Sequence, residues 1–256
     1  MQLEGKHALV YGVANHRSFA WHIAQALSQA GARICLAYQN ERLEKNVRKL
    51  GDTLPGTLYV QCDVTKDDEL ERVRNTVQAE FGKLDVLIHA VAFARKEELS
   101  GRYVDTSRSG YLLAQEISAY SLVAITKSAL PLFAAAGGGS IIALTYLGAE
   151  RVVANYNVMG VAKAALEASI RYLASDLGTD NIRVNGISAG PVRTLASSAV
   201  ADFRSMLNHV ADTSPLRRNV DQAQVADAAL FLASEAARGI TGEILHVDAG
   251  YNIVAV

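Results

Sequence analysis

The chain has 256 residues, of which 50% are hydrophobic and 20% are charged, and its formal net charge is −1. This balance is typical of a globular protein, and the length suits one large domain. A net charge so close to zero argues against bulk attraction to nucleic acid or to an anionic membrane, so we expect neither as a partner.

Short apolar runs alternate with longer amphipathic runs along the whole chain. In chain order, strands are predicted at 7–12, 33–39, 57–63, 84–90, 140–146, 182–188 and 243–247. Helices are predicted at 17–30, 41–50, 67–81, 107–133, 155–178 and 222–234. Such alternation indicates βαβ units, and fully apolar strands are typical of a parallel sheet covered on both faces. We therefore predict an α/β fold: a single-domain (1–256), Rossmann-type, doubly wound parallel sheet with helices on both faces.

The two cysteines of the chain bear on its cellular location. Cys35 and Cys62 lie in strand-like runs and are expected to be buried free thiols of a cytoplasmic protein. The histidines and cysteines lack the spacing of metal ligands, so no metal is expected.

An uncharged stretch at 128–149 has the length of a membrane span, but Pro131 and the glycines at 137–139 would interrupt such a helix. We interpret the stretch as a helix end, a turn and a buried strand.

The first strand runs into a turn that could hold a nucleotide. Gly12 lets the backbone approach a pyrophosphate closely, and Ser18 stands near the start of the following helix. That helix start offers free N–H groups and the positive end of a dipole. The alternative is an ordinary tight turn in which Ser18 caps the helix.

The ends of the second and third strands suggest which nucleotide would bind. Gln39 and Asn40 are neutral where a basic residue would favour a 2′-phosphate, which favours NADH over NADPH. Asp63 ends the third strand, where its carboxylate could bind the adenine amino group or cap the next helix. The sequence leaves both roles open.

The strongest catalytic signal is Tyr156 with Lys163, seven residues apart in a predicted helix. Seven residues are almost two helical turns, so both side chains project from one face. A phenol can donate a hydrogen bond to an oxygen that gains negative charge, while an ammonium holds a cofactor hydroxyl. The least regular stretch, 191–215, follows a strand end, where ligands of such folds bind, and is a candidate substrate-binding lid.

Several motifs together resemble the NADH-type enoyl-[acyl-carrier-protein] reductases of the short-chain dehydrogenase/reductase superfamily. The motifs are Gly-Val-Ala-Asn at 12–15 with Arg17-Ser18, Asp63-Val64, Ala-Phe-Ala at 92–94, Thr-Tyr-Leu-Gly at 145–148, the 156–163 segment, Arg-Val-Asn at 183–185, Ser-Ala-Gly-Pro-Val-Arg-Thr at 188–194, and Gly242-Glu243 with His-Val-Asp at 246–248. Ketone-reducing relatives carry Ser-x12-Tyr-x3-Lys, but this chain has Met159 at their tyrosine position and Tyr146 at their serine position. Phe19 replaces the usual isoleucine, and Ala90-Val91 replaces Ser-Ile, which are mild departures from the family pattern.

The resemblance implies an oxidoreductase of fatty-acid biosynthesis that reduces the double bond of trans-2-enoyl thioesters on acyl carrier protein. Its implied catalytic residues are Tyr146, Tyr156 and Lys163. Its implied NAD-binding residues are Gly12, Ser18, Phe19, Gln39, Asp63, Val64, Ala90, Val91, Ala92, Ile117, Lys163, Ala189, Val192 and Thr194. Its implied acyl-binding residues are Ala94, Tyr146, Met159, Ala196, Phe203 and Met206, for each of which a place in the ordinary core is the alternative.

Partners follow from the same resemblance. A rim of Arg193, Arg204, Arg217 and Arg218 could receive an acidic carrier protein, or it could be a solvated surface with internal ion pairs. The apolar segment 251–256 suggests a subunit interface, and the family implies a homotetramer. Two other functions stay open: a ketone-reducing member of the superfamily that acts on 3-oxoacyl thioesters, and a nucleotide-binding protein without catalysis.

Overall fold

Seven parallel strands form the centre of the fold, which a computed structural model describes for residues 1–194 and 202–254. The strands are β1 (His7–Tyr11), β2 (Arg33–Tyr38), β3 (Leu58–Gln61), β4 (Val86–His89), β5 (Gly139–Thr145), β6 (Ile182–Ala189) and β7 (Ile244–Val247). They lie in the order β3-β2-β1-β4-β5-β6-β7, and every neighbouring pair is parallel. The predicted doubly wound α/β fold is therefore confirmed.

Helices cover both faces of this sheet. The helices of the described chain are α1 (Phe19–Gln29), α2 (Glu41–Gly51), α3 (Asp67–Phe81), α4 (Arg108–Gln115), α5 (Ser121–Ala136), α6 (Asn157–Leu177), α7 (Phe203–Thr213) and α8 (Gln222–Ala233). A π-helical turn, Glu116–Tyr120, joins α4 to α5. Because the connection is helical throughout, α4, this turn and α5 form one continuous helical segment. We call this segment, Arg108–Ala136, the α4–α5 rod.

Each face of the sheet has its own apolar core, because successive side chains on a strand point to opposite faces. On β1, Leu9 and Tyr11 pack with α3, α5 and α6, whereas Ala8 and Val10 pack with α1, α2 and α8. Burial on both faces requires apolar residues at every strand position. This is why the strands read as continuous apolar runs rather than as alternating ones.

The α7 helix differs from the sequence interpretation. It lies within 191–215, which the sequence analysis treated as the least regular stretch. Its apolar residues Phe203, Met206 and Val210 recur at helical spacing, and Val210 is its buried residue. The helical period of α7 is therefore present in the sequence of this stretch.

The rod formed by α4 and α5 bears on the membrane question. The span Arg108–Ala136 is long and apolar enough to cross a membrane by length and composition alone. In the fold, α5 packs against α3, and its Leu122 and Phe133 are fully buried. The helix continues past Pro131, as the predicted helix to 133 requires, and it ends at the glycines that were expected to break a spanning helix. The predicted succession of helix end, turn and strand is confirmed, with Gly137 in the left-handed region at φ 75°.

The strand order places a crevice at the carboxyl ends of the central strands. The chain starts at β1, moves outward through β2 and β3, and then returns to β4 on the other side of β1. Ligands of doubly wound sheets bind at such a switch point, beyond the carboxyl ends of the strands. We call this edge of the sheet the carboxyl edge.

Candidate active site

The turn after β1 is shaped for a close backbone approach. Gly12 has φ +103°, and a Cβ at this position would overlap the carbonyl of Ala90. The Oγ of Ser18 accepts hydrogen bonds from the amides of Ala14 (3.1 Å) and Asn15 (3.2 Å). Its side chain makes no helix-capping bond, so Ser18 closes the turn instead of capping α1. The first amides of α1, beginning with Phe19, remain outside the intrahelical pattern and suit an anion.

A basic cavity of about 450 Å³ lies beside this turn. It is lined by His16, Arg17, His22, Val192, Arg193 and Gln222. No carboxylate is among these lining residues, so the electrostatic potential there favours negative charge. The turn and the cavity fit the pyrophosphate of a dinucleotide.

The ends of β2 and β3 carry the predicted adenosine-binding residues. Gln39 is exposed directly after β2, and Asn40 precedes α2. Asp63 Oδ1 accepts hydrogen bonds from Thr65 Oγ1 (2.8 Å) and from the Thr65 amide (3.1 Å). Lys66, not Asp63, occupies the position before α3, so the capping role for Asp63 is wrong. Its adenine-binding role, with Val64 beside it, stays a prediction.

The segment after β4 is fixed to the π-helical turn. Ala90, Val91 and Ala92 follow the strand, and the hydroxyl of Ser118 bonds to both the amide (3.0 Å) and the carbonyl (3.1 Å) of Phe93. The predicted residue Ile117 is next to Ser118 in the same turn. On the far side, Ala189 ends β6, and Val192 and Thr194 follow it. All the predicted cofactor residues of the strand ends thus lie along the carboxyl edge.

His89, the last residue of β4, is fully buried. Its Nε2 lies 2.8 Å from Ser121 Oγ, which itself donates to the carbonyl of Ile117 (2.7 Å). Its Nδ1 is buried and has no hydrogen-bond partner among the described residues. Burial, and after it the nearby Lys163 ammonium, lowers the pKa of His89 to about 3. The ring is therefore neutral, and one of its nitrogens is unsatisfied.

The end of β5 brings the three predicted catalytic residues together. Lys163 Nζ donates to the carbonyl of Leu144 at 2.7 Å, and Tyr146 directly follows the strand. The rings of Tyr146 and Tyr156 meet edge to face with centroids 5.0 Å apart. Gly148 makes room for this, because a Cβ there would lie 2.5 Å from the ring of Tyr156.

Burial sets the charge states of these groups. It raises the pKa of Tyr156 far above its usual range and raises the pKa of Tyr146 to about 12. It lowers the pKa of Lys163 to about 8. The phenols are therefore neutral donors at physiological pH, and the lysine is mainly cationic. The hydroxyl of Tyr156 has no hydrogen-bond partner within 1–194 and 202–254, so it is available to a ligand oxygen.

Strained backbone flanks Tyr156. The helix α6 begins at Asn157, so Tyr156 lies just before the helix. The sequence predicted it inside a helix at 155–178. Asn155 and Asn157 have φ values of 59° and 28°, in the left-handed region that asparagine tolerates better than most residues. The side chain of Asn157 donates to the carbonyls of Ser100 (3.3 Å) and Gly101 (3.2 Å). The tyrosine is thereby tied to the loop that carries Ala94.

A small third apolar cluster, separate from the two cores, fits the predicted acyl slot. Its buried residues are Leu99, Ala114, Val158, Met159 and Ala162, with Ala94 and Tyr156 packed against them. From α7, the thioether of Met206 lies 3.4 Å from the Tyr146 hydroxyl, which donates to it. Phe203 begins α7, while Ala196 lies outside the described residues. The structure therefore brings Ala94, Met159 and Met206 to the two tyrosines.

A family model described as Enoyl-(Acyl carrier protein) reductase matches residues 12–252. The chain belongs to this family of enoyl-[acyl-carrier-protein] reductases. The Enoyl-[acyl-carrier-protein] reductase [NADH] FabI of Bacillus cereus is 54% identical over 98% of both chains. The enzyme of the same name from Bacillus subtilis is 52% identical over 99% of this chain and 98% of its own.

Solved structures of other family members agree with this fold. The Bacillus cereus reductase, crystallised with NADP+ and indole naphthyridinone, has a TM-score of 0.97 at 53% identity, and all of both chains is covered. The Anaplasma phagocytophilum reductase in complex with NAD has a TM-score of 0.96 at 50% identity, covering 100% of this chain and 97% of that one. The resemblance stated from the sequence is thus confirmed.

The structure also brings to the site residues that had no predicted role there. Asp248 and Tyr251, from the segment after β7, act electrostatically on Tyr146 and further raise its pKa. The ring of Tyr251 also contacts His209 on α7, with centroids 6.1 Å apart. The interface predicted for 251–256 stays a prediction, and the first residue of that segment, Tyr251, lies near Tyr146 in this site. Asn157 and Glu167 were missed as well, although Glu167 is a lone acid four residues after Lys163.

Proposed function

We propose that the protein reduces the carbon–carbon double bond of trans-2-enoyl thioesters on acyl carrier protein, with NADH as donor, in the last step of fatty-acid elongation. The observation that carries this proposal is the neutral hydroxyl of the partly buried Tyr156, which has no hydrogen-bond partner among residues 1–194 and 202–254 and lies beside Tyr146 and Lys163. Relatives that are about half identical bear the name of an NADH-dependent enoyl reductase.

The cofactor would be held along the carboxyl edge. The Gly12 turn and the first amides of α1 suit the pyrophosphate, and Lys163 suits the hydroxyls of the nicotinamide ribose. When bound, NADH supplies the hydride that the β-carbon of the enoyl group accepts. A substitution at Gly12 would place a side chain in the space that this backbone approach requires.

The protein's own contribution is electrostatic. Negative charge accumulates on the thioester oxygen as the double bond is reduced, and Tyr156 donates a preorganised hydrogen bond to that oxygen. Lys163 keeps the local potential positive and holds the ribose. Tyr146 packs against Tyr156 and shapes the slot from the side of α7. The cluster of Ala94, Met159 and their neighbours takes the first part of the acyl chain.

The neighbourhood of α7 would serve as lid and docking rim. Arg193 and Arg204 are exposed, and none of the four rim arginines forms an ion pair shorter than 4.0 Å within the described parts of the chain. Arg218 donates to Gln224 Oε1 at 2.9 Å, and Arg217 donates to the carbonyl of Asp212. Internal ion pairs therefore do not explain the rim, whereas an acidic carrier protein would. The proposed lid covers about 191–215 and includes α7.

The assembly proposed for this cytoplasmic enzyme is a homotetramer. Tyr120 on the α4–α5 rod, Tyr172 on α6 and Ile253 near the end of the chain are 60%, 79% and 72% exposed, respectively. Large apolar groups of this kind are typical of subunit interfaces. We expect multi-angle light scattering to give four times the chain mass of 27.4 kDa. A monomer at micromolar concentration would contradict this assembly.

The choice of NADH over NADPH rests on Gln39. Its exposed side chain follows β2, where the adenosine ribose binds in such folds, and it offers no positive charge to a 2′-phosphate. We expect Gln39→Arg to raise the ratio of kcat/KM for NADPH to that for NADH by about tenfold, because an arginine–phosphate pair forms charge-assisted hydrogen bonds. Gln61→Arg, on the adjacent β3, is the matched control. An unchanged ratio in Gln39→Arg would place this residue away from the ribose.

The test of the proposed function is NADH oxidation with a crotonyl thioester, run beside NADPH and beside a 3-oxoacyl thioester. Turnover of the enoyl thioester with NADH is expected. Turnover of the 3-oxoacyl substrate alone would favour a ketone reductase. Nucleotide binding with no turnover of either substrate would favour a protein without catalysis. The absence of tyrosine at Met159 argues against the ketone reductase.

A further inference from the structure

The ammonium of Lys163 is held in surroundings that disfavour its charge. The residue is 5% exposed, and its Nζ donates to one neutral group, the carbonyl of Leu144. No carboxylate lies within 4.0 Å of this nitrogen in 1–194 and 202–254. Because desolvation penalises a buried cation, something else must keep Lys163 charged at the pH at which it binds a cofactor hydroxyl.

One helical turn further along α6 lies a buried acid. Glu167 is 6% exposed, and its Oε1 accepts a hydrogen bond from Thr145 Oγ1 at 2.7 Å. Leu144 and Thr145 are consecutive residues at the end of β5, so Lys163 and Glu167 are anchored at the same strand end. Residues four apart on a helix are neighbours on one face. The carboxylate therefore acts on the ammonium through space without forming a contact ion pair.

Other charged groups face Glu167 from the surrounding elements. Arg171 follows on the same helical face and is exposed, so positive, negative and positive charges alternate along α6. Glu150 approaches from the turn after β5 and pairs with His246 of β7, with Nε2 and Oε1 2.9 Å apart. Burial raises the pKa of Glu167, whereas the bond from Thr145 opposes that change. Among these groups, Glu167 is the buried acid that lies next to Lys163.

We propose that Glu167 is a positioning residue that keeps the Lys163 ammonium charged inside the site and so sustains NADH binding up to mildly alkaline pH. The proposal rests on the role of Lys163 in the proposed function. A lysine is cationic below its pKa and neutral above it, so NADH affinity must fall as the pH rises through the pKa of Lys163. Removing the nearby negative charge lowers that pKa, and the fall must then begin at lower pH.

The deciding measurement is the dissociation constant of NADH, followed by nucleotide fluorescence across the pH range that spans this transition. In Glu167→Gln the amide oxygen can still accept from Thr145, while the charge is lost. We expect the alkaline loss of affinity to move down by about one pH unit, since buried neighbours of opposite charge shift a pKa by this order. Glu167→Asp, which restores the charge, should move the transition back toward the wild-type position.

Two controls separate an electrostatic role from a structural one. Glu150→Gln removes a more exposed acid that also faces Glu167, and it should leave the transition in place. Thermal unfolding checks each variant, and if Glu167→Gln does not fold, the neutral and similarly long Glu167→Met must show the same shift. An unmoved transition in a folded, neutral variant, or an equal shift in Glu150→Gln, would overturn the proposal. Because NADH binding is read without turnover, failure of the proposed enoyl reduction would be seen separately in the thioester assay.

Discussion

Tyr156→Phe should lower kcat/KM for an enoyl thioester by about 100-fold, the usual cost of removing one donor from an oxyanion site. The hydroxyl is the atom that the proposed mechanism uses, and burial keeps it protonated because the pKa of Tyr156 is raised far above its usual range. Phenylalanine retains the edge-to-face contact with Tyr146 and the fit against Gly148. NADH affinity should therefore stay at the wild-type value, so the whole effect falls on the reduction step.

Tyr146→Phe is the matched comparison for this result. The Tyr146 hydroxyl donates to the Met206 thioether, a weak acceptor, whereas the Tyr156 hydroxyl has no such partner in the part of the chain that the structure describes. Its removal should cost several-fold at most in kcat/KM. Steady-state kinetics with a crotonyl thioester measure both variants. Equal losses in the two would mean that the pair of hydroxyls acts as a unit, and wild-type kinetics in Tyr156→Phe would remove Tyr156 from the mechanism.

Lys163→Ala should weaken NADH binding by about 10- to 100-fold, because a hydrogen bond to a charged group contributes about 1.5–3 kcal/mol. It should also lower kcat measured at saturating NADH, because the positive potential near the developing negative charge is lost. The two losses together distinguish Lys163 from Tyr156, whose replacement spares binding. Fluorescence titration gives the first quantity, and turnover at saturating NADH gives the second.

Lys127→Ala is the control for the loss of a lysine as such. Lys127 is exposed on α5, so its removal should change neither NADH affinity nor kcat. Wild-type NADH affinity in Lys163→Ala would contradict the assigned role. The buried bond to the Leu144 carbonyl also disappears in this variant, so circular dichroism must show that the end of β5 keeps its fold.

Much of the fold follows from the period of the apolar residues. Each strand reads as an apolar run because its side chains meet a core on both faces, as Leu9 and Val10 do on opposite sides of β1. The carboxyl-edge position of Gly12 and Ala189 then follows from parallel strand direction alone. Within the site, helical spacing linked Tyr156 to Lys163, although Tyr156 proved to precede the helix.

Other features depend on contacts that have no local signature. The π-helical turn that places Ile117 and Ser118 interrupts a stretch that reads as one helix, and it is fixed by the bonds from Ser118 to Phe93. The hydrogen bond at His89 Nε2 is made with Ser121, which is distant in sequence. The effect of Tyr251 on Tyr146 likewise arises from a return of the chain after β7. A single sequence without relatives does not report such distant pairings.

The separation of the acyl slot from the two main cores divides the site into parts of unequal local stability. The nucleotide half rests on the sheet and its two large cores, whereas the slot rests on a cluster of five buried residues bridged to the 94–107 loop by Asn157. Opening a segment costs only the contacts that the opening breaks. We therefore expect the free energy of opening the slot to be well below the free energy of global unfolding. Amide hydrogen exchange measures this difference directly. We expect such opening to admit the acyl chain of the proposed substrate while the nucleotide half keeps its structure.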